Sequence, residues 1–312
     1  MSIYQEAIAY FKNISGVDIW QEMPIIFERI ANASPEHWLL PVNACEAVGG
    51  RSSNAVPSVV AIGCSHISII LVDDMLDVDP RGEYKRIGEA ATANLACAFQ
   101  AASLDAILNG GGTPIQLSST LGSFNRMYLM TALGQYLDVQ LPANESEYWR
   151  MVQTKSSPFF EAALRIGAIA GGASLNVIDK LGKIGYLYGK MIQIHDDLSD
   201  TMAFPASPDW QEGRVPLPIL FAQTVEYPER DVFLELRNKA ATDTDALYKA
   251  QEILIRCGAV SYCVSQLLEM HQKAQEILLS TDLVYPGAIE KILSAVVEPV
   301  ENLFENVSKI YP

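Results

Sequence analysis

The chain has 312 residues, a mass of 34.2 kDa, and 37 acidic against 22 basic side chains, for a formal net charge of −15. That length buries one large core or two smaller ones, and the charge argues against nucleic acid as a partner, because phosphate backbones are held by clustered Lys and Arg. Nearly half the residues are hydrophobic, yet no uninterrupted apolar stretch reaches the 18 residues of a membrane span and no signal-like segment opens the chain. The expectation is therefore a cytoplasmic protein that is not an integral membrane protein.

Apolar residues recur with the 3.6-residue period of amphipathic helices, and the punctuation is that of helix ends. In chain order the pattern predicts helices from Ser2 to Asn13, Ile19 to Ala31, Leu39 to Val48, Ala55 to Val78, Gly88 to Leu108 and Ile115 to Gln140. Further helices are predicted from Glu145 to Gly171, Ser174 to Met202, Leu217 to Thr224, Arg230 to Ala240, Thr242 to Cys257, Val260 to Ser280 and Pro286 to Ser308. Gly49-Gly50, Gly110 to Pro114 and Phe204 to Pro208 read as connecting loops, and strand signals are almost absent. No change of composition marks a boundary, so residues 1–312 are expected to form one all-α domain, a large helical bundle with a central cavity. The five cysteines, Cys45, Cys64, Cys97, Cys257 and Cys263, show no CxxC pairing, which predicts buried, reduced thiols with no zinc site and no disulfide framework.

Two of these helices end in the same acidic pattern, Asp73-Asp74-Met75-Leu76-Asp77 and Asp196-Asp197-Leu198-Ser199-Asp200. With Asp at roughly one position in sixteen, DDxxD should arise about 0.08 times in this length. Residues four apart share a helix face, so Asp73 stands over Asp77 and Asp196 over Asp200. Two carboxylates about 5 Å apart repel by roughly 3 kcal/mol at an effective dielectric near 20, which calls for a counter-charge. Oxygen-only ligands favour Mg²⁺ or Mn²⁺ over zinc, and Mg²⁺ completes its octahedron with water and phosphate oxygens, so the implied ligand is a phosphorylated small molecule. The same helical arithmetic puts His66 and Ile70 on the face of Asp73, and Gln193 and Gly189 on that of Asp196. The alternative for each motif is a helix end turning into solvent, since Asp79-Pro80-Arg81-Gly82 and Pro205 follow as breakers; two copies weigh against it.

The paired motifs resemble the first and second Asp-rich motifs of the trans-isoprenyl diphosphate synthases, or polyprenyl synthetases, which have the class I isoprenoid synthase fold. Ala44 to Gly50, Gly88-Glu89-Ala90, Gly134-Gln135, Lys155-Ser156, Gln193-Ile194, and Gly213-Arg214 with Leu217-Pro218 extend the likeness over roughly residues 30 to 225. The resemblance implies three Mg²⁺ per active site on an allylic isoprenoid diphosphate, with Asp73, Asp77 and Asp196 as principal ligands and Asp74, Asp197 and Asp200 supporting. It implies that Lys155 contacts the leaving diphosphate, that His66, Arg81, Gln135, Gln193 and Arg214 contact substrate, and that the protein is a homodimer. Ser68 and Ile69 stand where the family floors a short pocket with bulky aromatics, and their modest size suggests room for C15 to C20 chains or longer. Phe99, Phe124, Met127, Tyr128 and Phe159 are candidates for the cavity wall, with ordinary core packing the commoner role. His37, His195 and His271 are read as surface or core histidines.

The chain also departs from the family. Ser34-Pro35-Glu36-His37-Trp38 stands where a GKxxRP element should supply Lys and Arg for isopentenyl diphosphate, and only Arg81-Gly82 remains of the Arg-Arg-Gly after the first motif. The loop after the second motif is short, leaving Arg214 as its nearest base. The implied activity is a prenyltransferase that ionises a C10 to C20 allylic diphosphate and passes the prenyl group to isopentenyl diphosphate or another acceptor. The alternatives are a terpene cyclase of the same fold, which needs no isopentenyl diphosphate, and a regulatory subunit of a heteromeric synthase, against which the intact motifs count.

Overall fold

The computed structural model describes residues 2–110 and 113–310, with side chains as far as residue 298. The described residues form helices and no strand. In order they are α1 (Ile3–Lys12), α2 (Glu22–Asn32), α3 (Leu40–Ala47), α4 (Val56–Leu76), α5 (Tyr84–Ile87), α6 (Glu89–Asn109), α7 (Pro114–Val139) and α8 (Glu145–Lys155). There follow α9 (Ser157–Ala170), α10 (Leu175–Met202), α11 (Pro208–Glu212), α12 (Leu217–Thr224), α13 (Arg230–Ala240), α14 (Thr244–Arg256), α15 (Ala259–Leu279) and α16 (Gly287–Ile310). Short 3₁₀ turns precede α3 and α4.

The boundaries have local causes. The Thr113 side chain accepts from the Gln116 backbone while Gln116 returns a bond to the Thr113 N–H, a capping box with Pro114 at the first helical position. Asn144 and Asp243 cap α8 and α14 more simply, each with a side-chain oxygen that accepts from backbone N–H groups of the first turn. The helix expected from Glu145 to Gly171 is two helices, because Pro158 carries no N–H for a continuing ladder and starts α9 afresh after Ser156. Of the loop expected from Gly110 to Pro114, Gly111 and Gly112 lie outside the described residues.

A large core runs through α1 to α4, α6 to α10, α15 and α16, and a smaller one, around Trp210, Phe233, Leu247 and Leu254, joins α11 to α15. Within the large core α4 is apolar on every side, which marks a central helix, buried along most of its length and opening toward its acidic end. Packing is closest where side chains are missing. A Cβ on Gly185 would lie 2.3 Å from the Phe160 carbonyl, and one on Gly134 2.1 Å from the Lys155 nitrogen, so these glycines let α10 touch α9 and α7 touch α8. The helices α4, α7 and α10 finish at one end of the bundle, where both acidic motifs lie, while α6 and α9 start near that end.

Two expectations change. Ser52–Leu76 and Glu89–Asn109 are each long and apolar enough to cross a membrane, because scattered Ser, Gly and Thr interrupt an apolar run without making it polar. The window in the first is 72% buried inside the protein and that in the second 44%, which leaves one side of α6 open. The thiols of Cys45, Cys64 and Cys263 are buried, but Cys97 is exposed on α6 and Cys257 partly so; all five are free.

Candidate active site

Between the ends of α4, α7, α8 and α10 lies a cavity of about 270 Å³ whose wall includes Asp73, Asp138, Lys155, Gln193, Asp196 and Arg214, with Asp197, Asp200 and Asp209 beside them. The two motifs, some 120 positions apart in sequence, thus face one space. Lys155, the last residue of α8, places its ammonium 3.1 Å from Asp73 and 2.5 Å from Asp138. Burial opposes its charge, but Asp73 and Asp138 outweigh that and hold its pKa well above the ordinary value, so it is a fixed cation at any accessible pH. Arg214 reaches in from the loop after the second motif, 2.7 Å from Asp77, 2.9 Å from Glu212 and 4.0 Å from Asp138. Asp138 therefore sits between two cations, each of which also holds one acid of the first motif.

The carboxylates feel their enclosure. Asp74 is pushed up to about 6 by burial and by Asp79 and Asp73, and burial also raises Asp77 and Asp196. Asp209 rises to about 7 through burial and the charges of Asp197 and Asp200. Asp197 departs from the ligand set expected of it. It is 5% exposed, its Oδ2 accepts from the Tyr148 hydroxyl and the Leu217 N–H, both at 2.7 Å, and its Oδ1 accepts from Gln193 at 2.8 Å. With both oxygens engaged, it fixes the start of α12 and orients Gln193, whose own oxygen accepts from the Ser156 hydroxyl at 2.6 Å. Burial still lifts it to about 6.

The remaining expected residues are more dispersed. Gln135, 5% exposed, donates to the Ile69 carbonyl at 3.2 Å and lies 3.5 Å from Asp73. Arg81 is not inside the cavity: its guanidinium is 82% exposed and pairs with Asp79 at 2.7 Å, leaving it a rim charge that acts on Asp74 and Asp200. Ile69 is partly exposed, whereas Ser68 is buried with its hydroxyl unpartnered. His195 is a surface residue 3.7 Å from Asp196. His66 lies two turns below Asp73, its Nδ1 accepting from Trp38 at 3.2 Å, with the His37 ring 4.1 Å away edge-on and Phe159 at 6.0 Å. Burial lowers His66 well below the usual range, with a further contribution from His37, and burial takes His37 down to about 4. Both rings are neutral at physiological pH.

Asp138, Asp209 and Tyr148 belong to the site although no motif pointed to them. Asp138 had a signal, three positions after Gln135 on a helix bordering the site; Asp209 and Tyr148 had none.

The donor set suits a hard divalent cation. It is all oxygen, concentrated around one cavity, and partly neutralised by Lys155 and Arg214. Among the described residues no three His, Cys, Asp or Glu side chains converge on one point. Mg²⁺ asks for less, since it typically takes one or two carboxylates and keeps water and phosphate oxygens for the rest.

This helical frame, with acids at the open end of the bundle, is the all-α isoprenoid synthase fold. It matches a geranylgeranyl pyrophosphate synthetase from the archaeon Geoglobus acetivorans with a TM-score of 0.80 at 19% identity, covering 95% of this chain and 96% of that one. A polyprenyl synthase from Caulobacter crescentus complexed with calcium and isoprenyl diphosphate matches with a TM-score of 0.78 at 19% identity, over 95% and 93%. In sequence, residues 38–254 match the polyprenyl synthetase family model, and the chain belongs to that family. It is 27% identical over 251 residues to the geranylgeranyl diphosphate synthase of Methanosarcina mazei, which covers 75% of this chain and 76% of that protein. The chain is accordingly a prenyltransferase.

Proposed function

We propose that this prenyltransferase is Mg²⁺-dependent, ionises an allylic isoprenoid diphosphate of C10 to C20, and transfers the prenyl group to isopentenyl diphosphate. The observation that carries the reading is the convergence of both acidic motifs, Lys155 and Arg214 on one cavity at the mouth of an apolar bundle. Asp73, Asp74, Asp77, Asp196 and Asp200 would hold Mg²⁺, which when bound supplies positive charge to the departing diphosphate. Lys155 and Arg214 add fixed cations at the same place, and Asp138 holds them when they turn from Asp73 and Asp77 toward phosphate oxygens. Charge-assisted contacts of this kind are the strong ones. The apolar walls from α4, α7, α9 and α10 keep water from the cationic prenyl fragment. The matched relatives bearing geranylgeranyl names support a diphosphate product of that kind.

One observation favours a second reading, a terpene cyclase that needs no second diphosphate. Where the family's acceptor-binding bases are expected, this chain has His37 and Trp38, the first neutral and the second without charge, although His66, against which both pack, stands where the family contacts its second substrate. Incubation with Mg²⁺ and C10, C15 or C20 allylic diphosphates, with and without isopentenyl diphosphate, separates the two. Elongated diphosphates formed only with the second substrate support the synthase; hydrocarbons or alcohols formed without it support the cyclase, and no turnover refutes both. A homodimer is part of the proposal, supported by the exposed small and apolar residues Ala93, Cys97 and Ala101 along α6 and Leu129, Ala132 and Tyr136 along α7. Light scattering at the 34.2 kDa of one chain would refute it.

A further inference from the structure

The helix α8 borders two separate cavities. Tyr148, Met151 and Lys155, spaced i, i+3 and i+7, line the acidic one. Ser146, Trp149, Arg150 and Gln153, on another face of the same helix, meet Lys190 of α10 and Gln266 and Met270 of α15 around a second pocket of about 480 Å³. Arg150 and Lys190 bring two positive charges to it, and no carboxylate borders it. Among the described residues the side chains of Ser146, Arg150, Gln153, Lys190 and Gln266 make no hydrogen bond or ion pair within the protein. The acids nearby are engaged elsewhere. Glu145 accepts from the Trp149 indole at 2.9 Å and from the Tyr262 hydroxyl, Glu147 accepts from the Ala143 N–H at 2.9 Å, and Glu269 pairs with Lys273 at 2.6 Å.

Lys190 is half-buried, its ammonium 5.6 Å from the centre of the Trp149 ring and 5.3 Å from that of Tyr186. The rings attract the charge and leave its N–H groups open to oxygen acceptors. Burial lowers its pKa below the ordinary lysine value and Lys273 adds to the shift, the reverse of what a neighbouring carboxylate would do. In a chain of net charge −15, two cations that share a recess with no acid of their own form a place for an external anion.

The wall also specifies the kind of anion. Two cations match a dianion better than a single carboxylate, and a phosphate monoester carries nearly two negative charges at neutral pH on three accepting oxygens. The planar fork of Arg150 suits two of those oxygens and the ammonium of Lys190 a third. The volume lies within the range of small-molecule sites, about 300–1,000 Å³, and leaves room beyond a bare phosphate. Trp149 and Met270 give that room an apolar side.

We propose that the pocket between α8, α10 and α15 binds a phosphate monoester of a small apolar alcohol, with the phosphate on Arg150 and Lys190 and the organic part against Trp149 and Met270. The site is distinct from the catalytic cavity and does not depend on the reading of the reaction.

The test is a tryptophan fluorescence titration of the protein in chelator with phenyl phosphate, inorganic phosphate, benzoate and phenol. Phenyl phosphate should give a saturable change, and no saturable change overturns the proposal outright. Without metal the acidic cavity repels phosphate, so a response that appears only with Mg²⁺ belongs to the catalytic site and also overturns it. Inorganic phosphate and benzoate should bind about 10-fold more weakly and phenol not at all; equal affinity for inorganic phosphate removes the apolar contact, and equal affinity for benzoate removes the dianion. Trp149→Phe should remove the fluorescence change although three of the four tryptophans remain, and a persisting change places the binding elsewhere. Arg150→Gln and Lys190→Gln should each weaken binding about 10-fold to 100-fold, as loss of one hydrogen bond between charged groups does. Lys183→Gln, on the same face of α10 but outside the pocket wall, should leave affinity unchanged; a loss as large as in the other two shows diffuse attraction by surface charge and overturns a built site. Arg150 is exposed, so its variant decides the matter if Lys190→Gln does not fold.

Discussion

At the scale of single residues, the site is a balance between acids and two cations that belong to the chain. Asp73 and Asp77 are already paired, with Lys155 and Arg214, so an incoming metal competes with these side chains for the carboxylates. Arg214→Gln should therefore strengthen Mg²⁺ binding several-fold in the absence of substrate, read by calorimetry. It should also raise KM for the allylic diphosphate about 10-fold to 100-fold, the equivalent of losing one hydrogen bond between charged groups. Unchanged Mg²⁺ affinity would show that Arg214 does not compete. Much of this was legible beforehand: the repeated DDxxD spacing marked all six acids, and Lys155 and Arg214 stood in matching segments. Asp197 shows where spacing stops informing. A one-letter pattern cannot tell an acid facing a cavity from its neighbour turned into the protein, and only the partners Tyr148, Leu217 and Gln193 reveal the difference.

At the scale of elements, contact between helices places the charges. The Lys155 ammonium stands over Asp73 and Asp138 because α8 ends directly against Gly134 of α7, at a distance no side chain would permit. Gly134→Ala should force α7 and α8 apart, costing about 1–3 kcal/mol of stability as overpacking does. It should also cost on the order of 10²-fold in kcat/KM, the usual penalty for misplacing a catalytic group by about 1 Å. Gly122→Ala on the same helix has open space around its new methyl, so it should leave kcat/KM unchanged and raise stability by about 1 kcal/mol through helix propensity, as steady-state kinetics and urea unfolding would show. Most helix limits were readable from period and caps to within a few residues. The break at Ser156 was not, because an apolar pattern runs through it and Pro158 is equally acceptable at the start of a helix and as a kink.

At the scale of the whole molecule, enclosed acids make stability depend on pH and metal together. Asp74 and Asp197 titrate at about 6 and Asp209 at about 7 in the folded protein, above the 3.8 expected when unfolded. Groups raised in this way contribute stability that is complete below about pH 4 and is lost as pH rises through 6 and 7. The metal-free protein should accordingly melt at a lower temperature at pH 7.5 than at pH 5.5, and Asp209→Asn should flatten the difference. Millimolar Mg²⁺ should raise the melting temperature more at pH 7.5, where protons no longer compete for the acids. Thermal melts in chelator and in Mg²⁺ at the two pH values provide the measurement, and a Mg²⁺ effect larger at pH 5.5 would refute the assignment.

The amino-acid sequence alone determined the helical class, the two acidic motifs, the oxygen-only donor set and the family, because periodicity and spacing are local and survive without coordinates. Tertiary structure decided which acids face the cavity and which are spent on scaffolding, and that Asp138 and Asp209 join them. It also showed that Tyr128 crosses the interior between Ser65 and Ser103. The reason is geometric: Asp138 lies 17 positions from Lys155, Asp197 lies 49 from Tyr148, and Tyr128 lies 25 and 63 from its serines, and a relation at that range exists only once helices from separate parts of the chain are packed side by side.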